Sequence, residues 1–251
     1  MQDTVERFSS RVDNYAKYRP HYPGEIIPYL EQHCGLHSDS VIADVGCGTG
    51  ISSELFLENC NFVIGVEPND SMREAAKLAL ATFERFSAVA GNSENTTLDD
   101  ASVDMVVAAQ AFHWFDPEKA RPEFERILKP GGHIVLMWNI RQMDTTPFLR
   151  EYEEFITKFA TDYSVVRHDN ITEAEIASFF QKTYRQATFP NFQVFDLEGL
   201  KGRLLSSSYI PTEAYPGYTE MIAELKLLFA KHSENGRIKI FYDTAVYHAS
   251  V

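Results

Sequence analysis

Between residues 40 and 140, short apolar runs alternate with amphipathic stretches, the pattern of buried parallel strands joined by crossover helices. Val41–Val45 reads as a first strand and Ile51–Asn59 as the helix after it. Phe62–Val66 is predicted as a second strand, stopped by Glu67-Pro68-Asn69-Asp70, after which Ser71 is placed to cap a helix over Met72–Leu80. Phe86–Ala90 and Val103–Ala108 supply a third and a fourth strand around the polar loop at residues 91–97. A helix over Pro117–Leu128, closed by Lys129-Pro130-Gly131-Gly132, leads to a fifth strand, His133–Trp138.

The regular alternation then ends. Residues 141–184 mix polar and aromatic positions, with helices predicted at Phe148–Phe159 and Glu173–Phe180, and are expected to form a helical lid inserted after strand five. Gln186–Leu197 and Arg237–Val246 are extended segments flanking a predicted helix at Thr219–His232, and together they suit an antiparallel pair at the sheet edge. The expected fold is therefore α/β: a doubly wound, seven-stranded, mostly parallel sheet with an antiparallel edge hairpin.

Composition narrows the choice of function. A chain of 251 residues, 44% hydrophobic, can bury a substantial core as one domain. Its 36 acidic residues against 23 basic ones leave a net charge of −13, a field that opposes nonspecific binding to nucleic acid. Cys34, Cys47 and Cys60 form no CxxC pair, so no disulfide framework or thiolate metal site is expected. No HxH or HExxH motif is present either, and His33 and His37 lack an evident third ligand, so no metal is expected. The polar start, Met1 to Arg7, and the absence of any apolar run near ~20 residues give no support for export or a membrane span. A cytoplasmic location and a monomer or homodimer are the expectations.

The chemistry concentrates after the first strand. Gly46-Cys47-Gly48-Thr49-Gly50 joins a buried strand to a helix, where an α/β sheet holds a ligand against a helix N-terminus. Glu67, at the end of the second strand, is placed to accept hydrogen bonds from both hydroxyls of a ribose. A dinucleotide fingerprint starting at Gly46 needs glycine at position 51, which is Ile51, and one starting at Gly48 needs it at Ser53. The register disfavours a nicotinamide dinucleotide and leaves a nucleoside without pyrophosphate. Asp44, just before the loop, suits an ammonium better than a phosphate.

Asp44-Val45-Gly46-Cys47-Gly48-Thr49-Gly50, then Glu67-Pro68 followed by Ser71-Met72, resembles motifs I and II of the class I S-adenosylmethionine-dependent methyltransferases. Gly91-Asn92-Ser93-Glu94 resembles that family's adenine-flanking loop, the run from Val103 to Trp114 resembles its fourth-strand motif, and Leu128 to Gly132 is similar to its turn before strand five. The stretch from Tyr15 to Pro23 is similar to the small-molecule branch of methyltransferase type 11 that includes trans-aconitate methyltransferase-like proteins. That resemblance implies that Tyr18 and Arg19 close over the methionine end of the cofactor, with Arg19 on its carboxylate. The cofactor set it implies is Tyr18, Arg19, Asp44, Gly46, Cys47, Gly48, Gly50, Glu67, Pro68, Met72, Asn92, Ser93, Glu94 and Gln110. It divides one methyltransferase domain, 1–251, into a cofactor cover (1–39), a cofactor-binding core (40–140), a substrate lid (141–184) and C-terminal edge strands with a helix (185–251). Methyl transfer to a small molecule is the implied function, O-methylation of a carboxylate or hydroxyl ahead of N-methylation. A nicotinamide-dependent oxidoreductase and a noncatalytic S-adenosylmethionine-binding protein are the alternatives.

Residues for the acceptor are less determined. His113 either removes a substrate proton or hydrogen-bonds the backbone, and Trp114 and Trp138 either line the acceptor cleft or pack in the core. Arg141 and Arg203 are candidate anchors for an acidic substrate or else solvated surface charges. Tyr209, with Ser206 to Ser208, either presents hydroxyls to the acceptor or ends a helix.

Overall fold

A computed structural model describes residues 12–161, 163 and 172–251. The beginning of the expected cofactor cover (1–11) and part of the expected lid (162 and 164–171) lie outside the described residues. The described residues open on two helices, α1 (Val12–Tyr18) and α2 (Ile26–Cys34). The alternating unit follows as β1 (Val41–Val45), α3 (Ile51–Glu58), β2 (Phe62–Val66), α4 (Asp70–Ala79) and β3 (Phe86–Val89). Next come β4 (Val103–Ala109), a 3₁₀ turn (Phe112–Trp114), α5 (Pro117–Ile127) and β5 (Leu128–Arg141). The C-terminal part holds α6 (Pro147–Phe159), α7 (Glu173–Phe180), β6 (Arg185–Phe195), α8 (Leu197–Leu205), α9 (Tyr218–His232) and β7 (Ile238–Ser250).

The seven strands form one sheet in the order β3-β2-β1-β4-β5-β7-β6. β1 to β5 pair in parallel, and β7 pairs antiparallel with both β5 and β6, which gives the expected antiparallel edge pair, though two helices join its strands where a hairpin was expected. The strand order reverses between β1 and β4, the place where open α/β sheets bind ligands.

Strand residues alternate between two apolar layers, as the period of two requires. Ala43, Val45, Val106, Ala108, Ile134 and Leu136 pack with α5 and α7 on one face. Ile42, Val63, Met105, Val107, Val135 and Met137 pack with α2 and α3 on the other. A third cluster joins α6, α8, α9 and the first part of β7, including Leu149, Leu200, Leu225 and Tyr242. The described part of residues 141–184 thus divides between two clusters: α6 enters the third, while Ile176, Phe179 and Phe180 of α7 are buried against the sheet.

Local features depart from the sequence expectation. Asn69, not Ser71, caps α4, its Oδ1 accepting from Met72 N at 3.0 Å. β5 reaches Arg141 because β7 supplies a partner along its length, from His133 opposite Ser250 to Arg141 opposite Tyr242. α8 meets α1 at Gly202, where a Cβ would stand 2.1 Å from the Tyr18 ring, so only glycine admits α1 so closely.

Candidate functional site: a cleft at the carboxyl edge of the sheet

The turn after β1 is built by positive-φ glycines. Gly46 (φ 73°) sits against Ala111, so that a Cβ there would meet Ala111 Cβ at 2.6 Å. Gly50 (φ 88°) is the N-cap of α3, whose first turn carries no side-chain cap. Gly46 N donates to Val66 O at 2.8 Å, tying the turn to the end of β2.

Glu67, at that strand end, is buried, and its two oxygens each accept one backbone N–H: Oε2 from Gly48 and Oε1 from Asn69, both at 2.9 Å. Those bonds fix the carboxylate and leave each oxygen a further lone pair. Burial pushes its pKa up while the two backbone donors oppose the rise. Asp44 is fully buried at the end of β1, and Oδ2 accepts from Ser52 Oγ at 2.7 Å and Ser53 Oγ at 2.6 Å. Its Oδ1 has no hydrogen-bond partner. Burial raises this carboxyl from its ordinary 3.8 to about 6, against the pull of the serine bonds.

A cleft of about 420 Å³ opens here, within the range of small-ligand sites. Its floor is Gly46 and Gly48; one wall is Glu67, Pro68, Asn69 and Met72, and the opposite wall is Asn92, Ser93 and Glu94. Ala109, Gln110, Ala111, Trp114 and Phe115 close the end nearest β4, with Asp116 and Lys119 at the rim and Tyr15 from α1 beside the glycines. Gln110 holds φ 56°, uncommon outside glycine and a mark of functional positions. Its Nε2 donates to Asn139 O at 3.2 Å, and its buried Oε1 is unpartnered.

Ten sequence-expected site residues therefore line one cleft: Gly46, Gly48, Glu67, Pro68, Met72, Asn92, Ser93, Glu94, Gln110 and Trp114. Asp44, Cys47 and Gly50 are not among its lining residues. Cys47 is buried with its thiol pushed up by burial, which suits packing rather than nucleophilic attack. Tyr18 packs on Gly202, and Arg19 stacks over the Tyr15 ring at 4.9 Å while donating from Nη2 to Ser206 O at 3.0 Å.

Of the acceptor candidates, only Trp114 reaches the cleft lining; the His113 ring packs beside it, tilted by 43°, at 4.8 Å between ring centres. Trp138 packs in the core on Phe112 and Tyr247. Arg141 is buried against Glu153 and Tyr163, and Arg203 is buried too, so neither is a solvated surface charge. Tyr209 packs on Tyr163, their rings 4.8 Å apart.

Sequence reasoning missed Tyr15, Asn69, Phe115, Asp116 and Lys119. Asp116 had a local signal, an N-cap before Pro117, and it also pairs with Lys119 at 2.9 Å. It missed as well that Cys34, His133 and His248 converge, with ligand-type atoms within 4.8 Å of one another, at the opposite end of the sheet. There His248 bonds Cys34 Sγ (3.2 Å) and Tyr29 OH (3.0 Å). Among the described residues no helix is long and apolar enough to cross a membrane.

A doubly wound sheet whose switch-point cleft rests on a glycine turn and a fixed carboxylate defines a Rossmann-like nucleoside-binding enzyme. Residues 43–136 match the methyltransferase domain family. An uncharacterized methyltransferase of Mycobacterium tuberculosis is 33% identical over 231 residues, 92% of this chain and 88% of its own length. An uncharacterized methyltransferase-like protein of Schizosaccharomyces pombe is 27% identical over 250 residues, covering 98% of this chain and 96% of its own. A solved structure from Anaeromyxobacter dehalogenans, assigned as a type II methyltransferase, has the same fold: TM-score 0.73 at 19% identity, over 93% of this chain and 98% of the other. The chain belongs to the methyltransferase family, and its cofactor is S-adenosylmethionine.

Proposed function

We propose that the enzyme methylates an oxygen of a small carboxylate or hydroxyl compound, with the cofactor held in the cleft against β1, β2 and β4. The observation that carries this reading is the convergence of Glu67, Asn92 to Glu94 and Gln110 on one cleft of about 420 Å³ floored by Gly46 and Gly48. The residues fit such a group. The free lone pairs of Glu67 suit a ribose diol, the unpartnered Oδ1 of Asp44 and Oε1 of Gln110 suit ammonium hydrogens, and the Asn92 to Glu94 wall suits adenine.

When bound, the sulfonium supplies an already activated methyl group, so no Lewis acid is required. The chain's part is positioning and exclusion of water. Trp114 and Phe115 wall the end of the cleft where β4 finishes, and Asn139 pins the chain above it by donating from Nδ2 to Pro20 O and His21 O, each at 3.3 Å. A carboxylate acceptor needs no base, because its oxygen is already ionised; a hydroxyl acceptor needs one. His113 stands outside the cleft lining, which favours the carboxylate.

Incubation with methyl-labelled cofactor and a panel of small carboxylic acids, phenols and amines tests the reading. Label in base-labile esters supports it, and label confined to amines contradicts it.

A further inference from the structure

At the end of the sheet opposite the cofactor cleft, three metal-ligating side chains meet. His248 lies on β7 opposite Val135 of β5, and His133 stands two residues before Val135, so both imidazoles share the face on which Val135 packs. α2 covers that face, and its last residue is Cys34. The ligand-type atoms of Cys34, His133 and His248 all lie within 4.8 Å of one another. Cys34 Sγ stands 3.2 Å from His248 Nδ1, Tyr29 OH stands 3.0 Å from His248 Nε2, and the two imidazole centres are 6.3 Å apart. No local motif shows this convergence, because each of the three residues comes from a different element.

A polar cluster held by hydrogen bonds alone accounts for His248 but leaves out His133, which makes no hydrogen bond to a described residue. His33, next to Cys34, is engaged elsewhere, its Nδ1 2.9 Å from Arg185 Nη1. Among the described residues no carboxylate belongs to the cluster, which sets it apart from the oxygen-rich sites of Mg²⁺ and Ca²⁺. One thiolate and two imidazoles suit Zn²⁺. A tetrahedral ion with bonds of ~2.0–2.3 Å holds its ligand atoms about 3.3–3.8 Å apart, so the three need only small side-chain rotations to close on one ion. His248 is 3% exposed, while Cys34 and His133 are half-buried and leave solvent access for a water.

We infer that Cys34, His133 and His248 bind a structural zinc ion, with water as the fourth ligand, clasping α2 to β5 and β7. His248 reaches the metal through Nδ1, and its Nε2–H donates to the Tyr29 hydroxyl, the outer contact that fixes a metal-bound imidazole. As the Zn–S bond forms, the Cys34 thiol proton leaves to solvent. Both imidazoles bind neutral, through nitrogen lone pairs, and nothing is oxidised or reduced. The three ligands converge only in the folded chain, so metal affinity adds to the stability of the fold. The ion sits at the far end of the sheet from the cleft, so it takes no part in methyl transfer.

Calorimetry and absorption spectroscopy on the full-length, chelator-treated protein test this, with Zn²⁺, Co²⁺ and Mg²⁺ as titrants. One Zn²⁺ should bind per chain, Mg²⁺ should not compete with it, and Co²⁺ should give a thiolate-to-cobalt charge-transfer band. Cys34→Ser should abolish that band. Cys34→Ser and His133→Asn should each weaken Zn²⁺ binding ~10-fold or more, whereas Cys60→Ser, at the exposed cysteine, should match wild type. Zn²⁺ should raise the melting temperature of wild type and leave that of Cys34→Ser where it was. Absence of Zn²⁺ binding, a charge-transfer band that survives Cys34→Ser or needs Cys60, unchanged Zn²⁺ affinity in either ligand variant, or a wild-type melting temperature that Zn²⁺ does not raise would overturn the inference.

Discussion

Asp44 carries the sharpest consequence of the site's construction, because a carboxylate with no exposure and, among the described residues, no cation against it is held where the protein would prefer a neutral group. Its pKa rises from 3.8 to about 6 on burial, a shift of about two units, or about 3 kcal/mol at 1.36 kcal/mol per unit. A raised folded-state pKa means that the native protein binds the proton more tightly than the unfolded chain does. The stability Asp44 contributes is thus fully present below about pH 4 and is lost as pH rises through about 6. Asp44→Asn keeps the shape and an oxygen to accept from Ser52 and Ser53, and it removes the ionisation. The ligand-free Asn variant should therefore exceed wild type by up to about 3 kcal/mol at pH 8 and by almost nothing at pH 4. That corresponds to a melting temperature higher by roughly 6–10 °C at pH 8 for a chain of this length. Urea unfolding at both pH values measures it. A variant no more stable than wild type at pH 8, or equally stabilised at pH 4, would refute the argument. The same substitution should weaken S-adenosylhomocysteine binding, since the unpartnered oxygen is replaced by an N–H donor.

Other substitutions probe the frame. Gly46→Ala puts a methyl 2.6 Å from Ala111 in a positive-φ position, and should cost about 2–4 kcal/mol in chemical denaturation together with most of the cofactor affinity. Phe124→Ala, at a fully buried position between α5 and the sheet, should cost about 3–5 kcal/mol; circular dichroism during thermal melting should show the loss, with S-adenosylhomocysteine still bound at low temperature.

The parallel half of the sheet was legible because parallel strands are buried on both faces and punctuated by turn residues. Val41–Val45 and Phe62–Val66 appear with the bounds that their apolar runs suggest. The glycine turn and Glu67 could be placed because both sit at strand ends, where backbone geometry fixes position. Side chains that act from helices were not legible. That Gly202 of α8 leaves room for the Tyr18 ring is a contact between distant segments that no local pattern shows. Arg203 gave no sign of burial, since its desolvation comes from Tyr242 and the serines, distant contacts that no local pattern encodes. Trp138 and His113 were ambiguous for the same reason: one residue's difference in direction separates the core from the cleft, and tertiary packing of Phe112 and Tyr247 decides it.

The central claim is that the cleft between the glycine turn and Glu67 holds S-adenosylmethionine, and equilibrium titration of S-adenosylhomocysteine and NADH into wild type and Glu67→Ala tests it most directly. The account predicts one S-adenosylhomocysteine bound per chain, affinity at least ~10-fold weaker in Glu67→Ala, and no NADH binding in either protein. Tight NADH binding without S-adenosylhomocysteine binding, or unchanged affinity in the Glu67 variant, would contradict it.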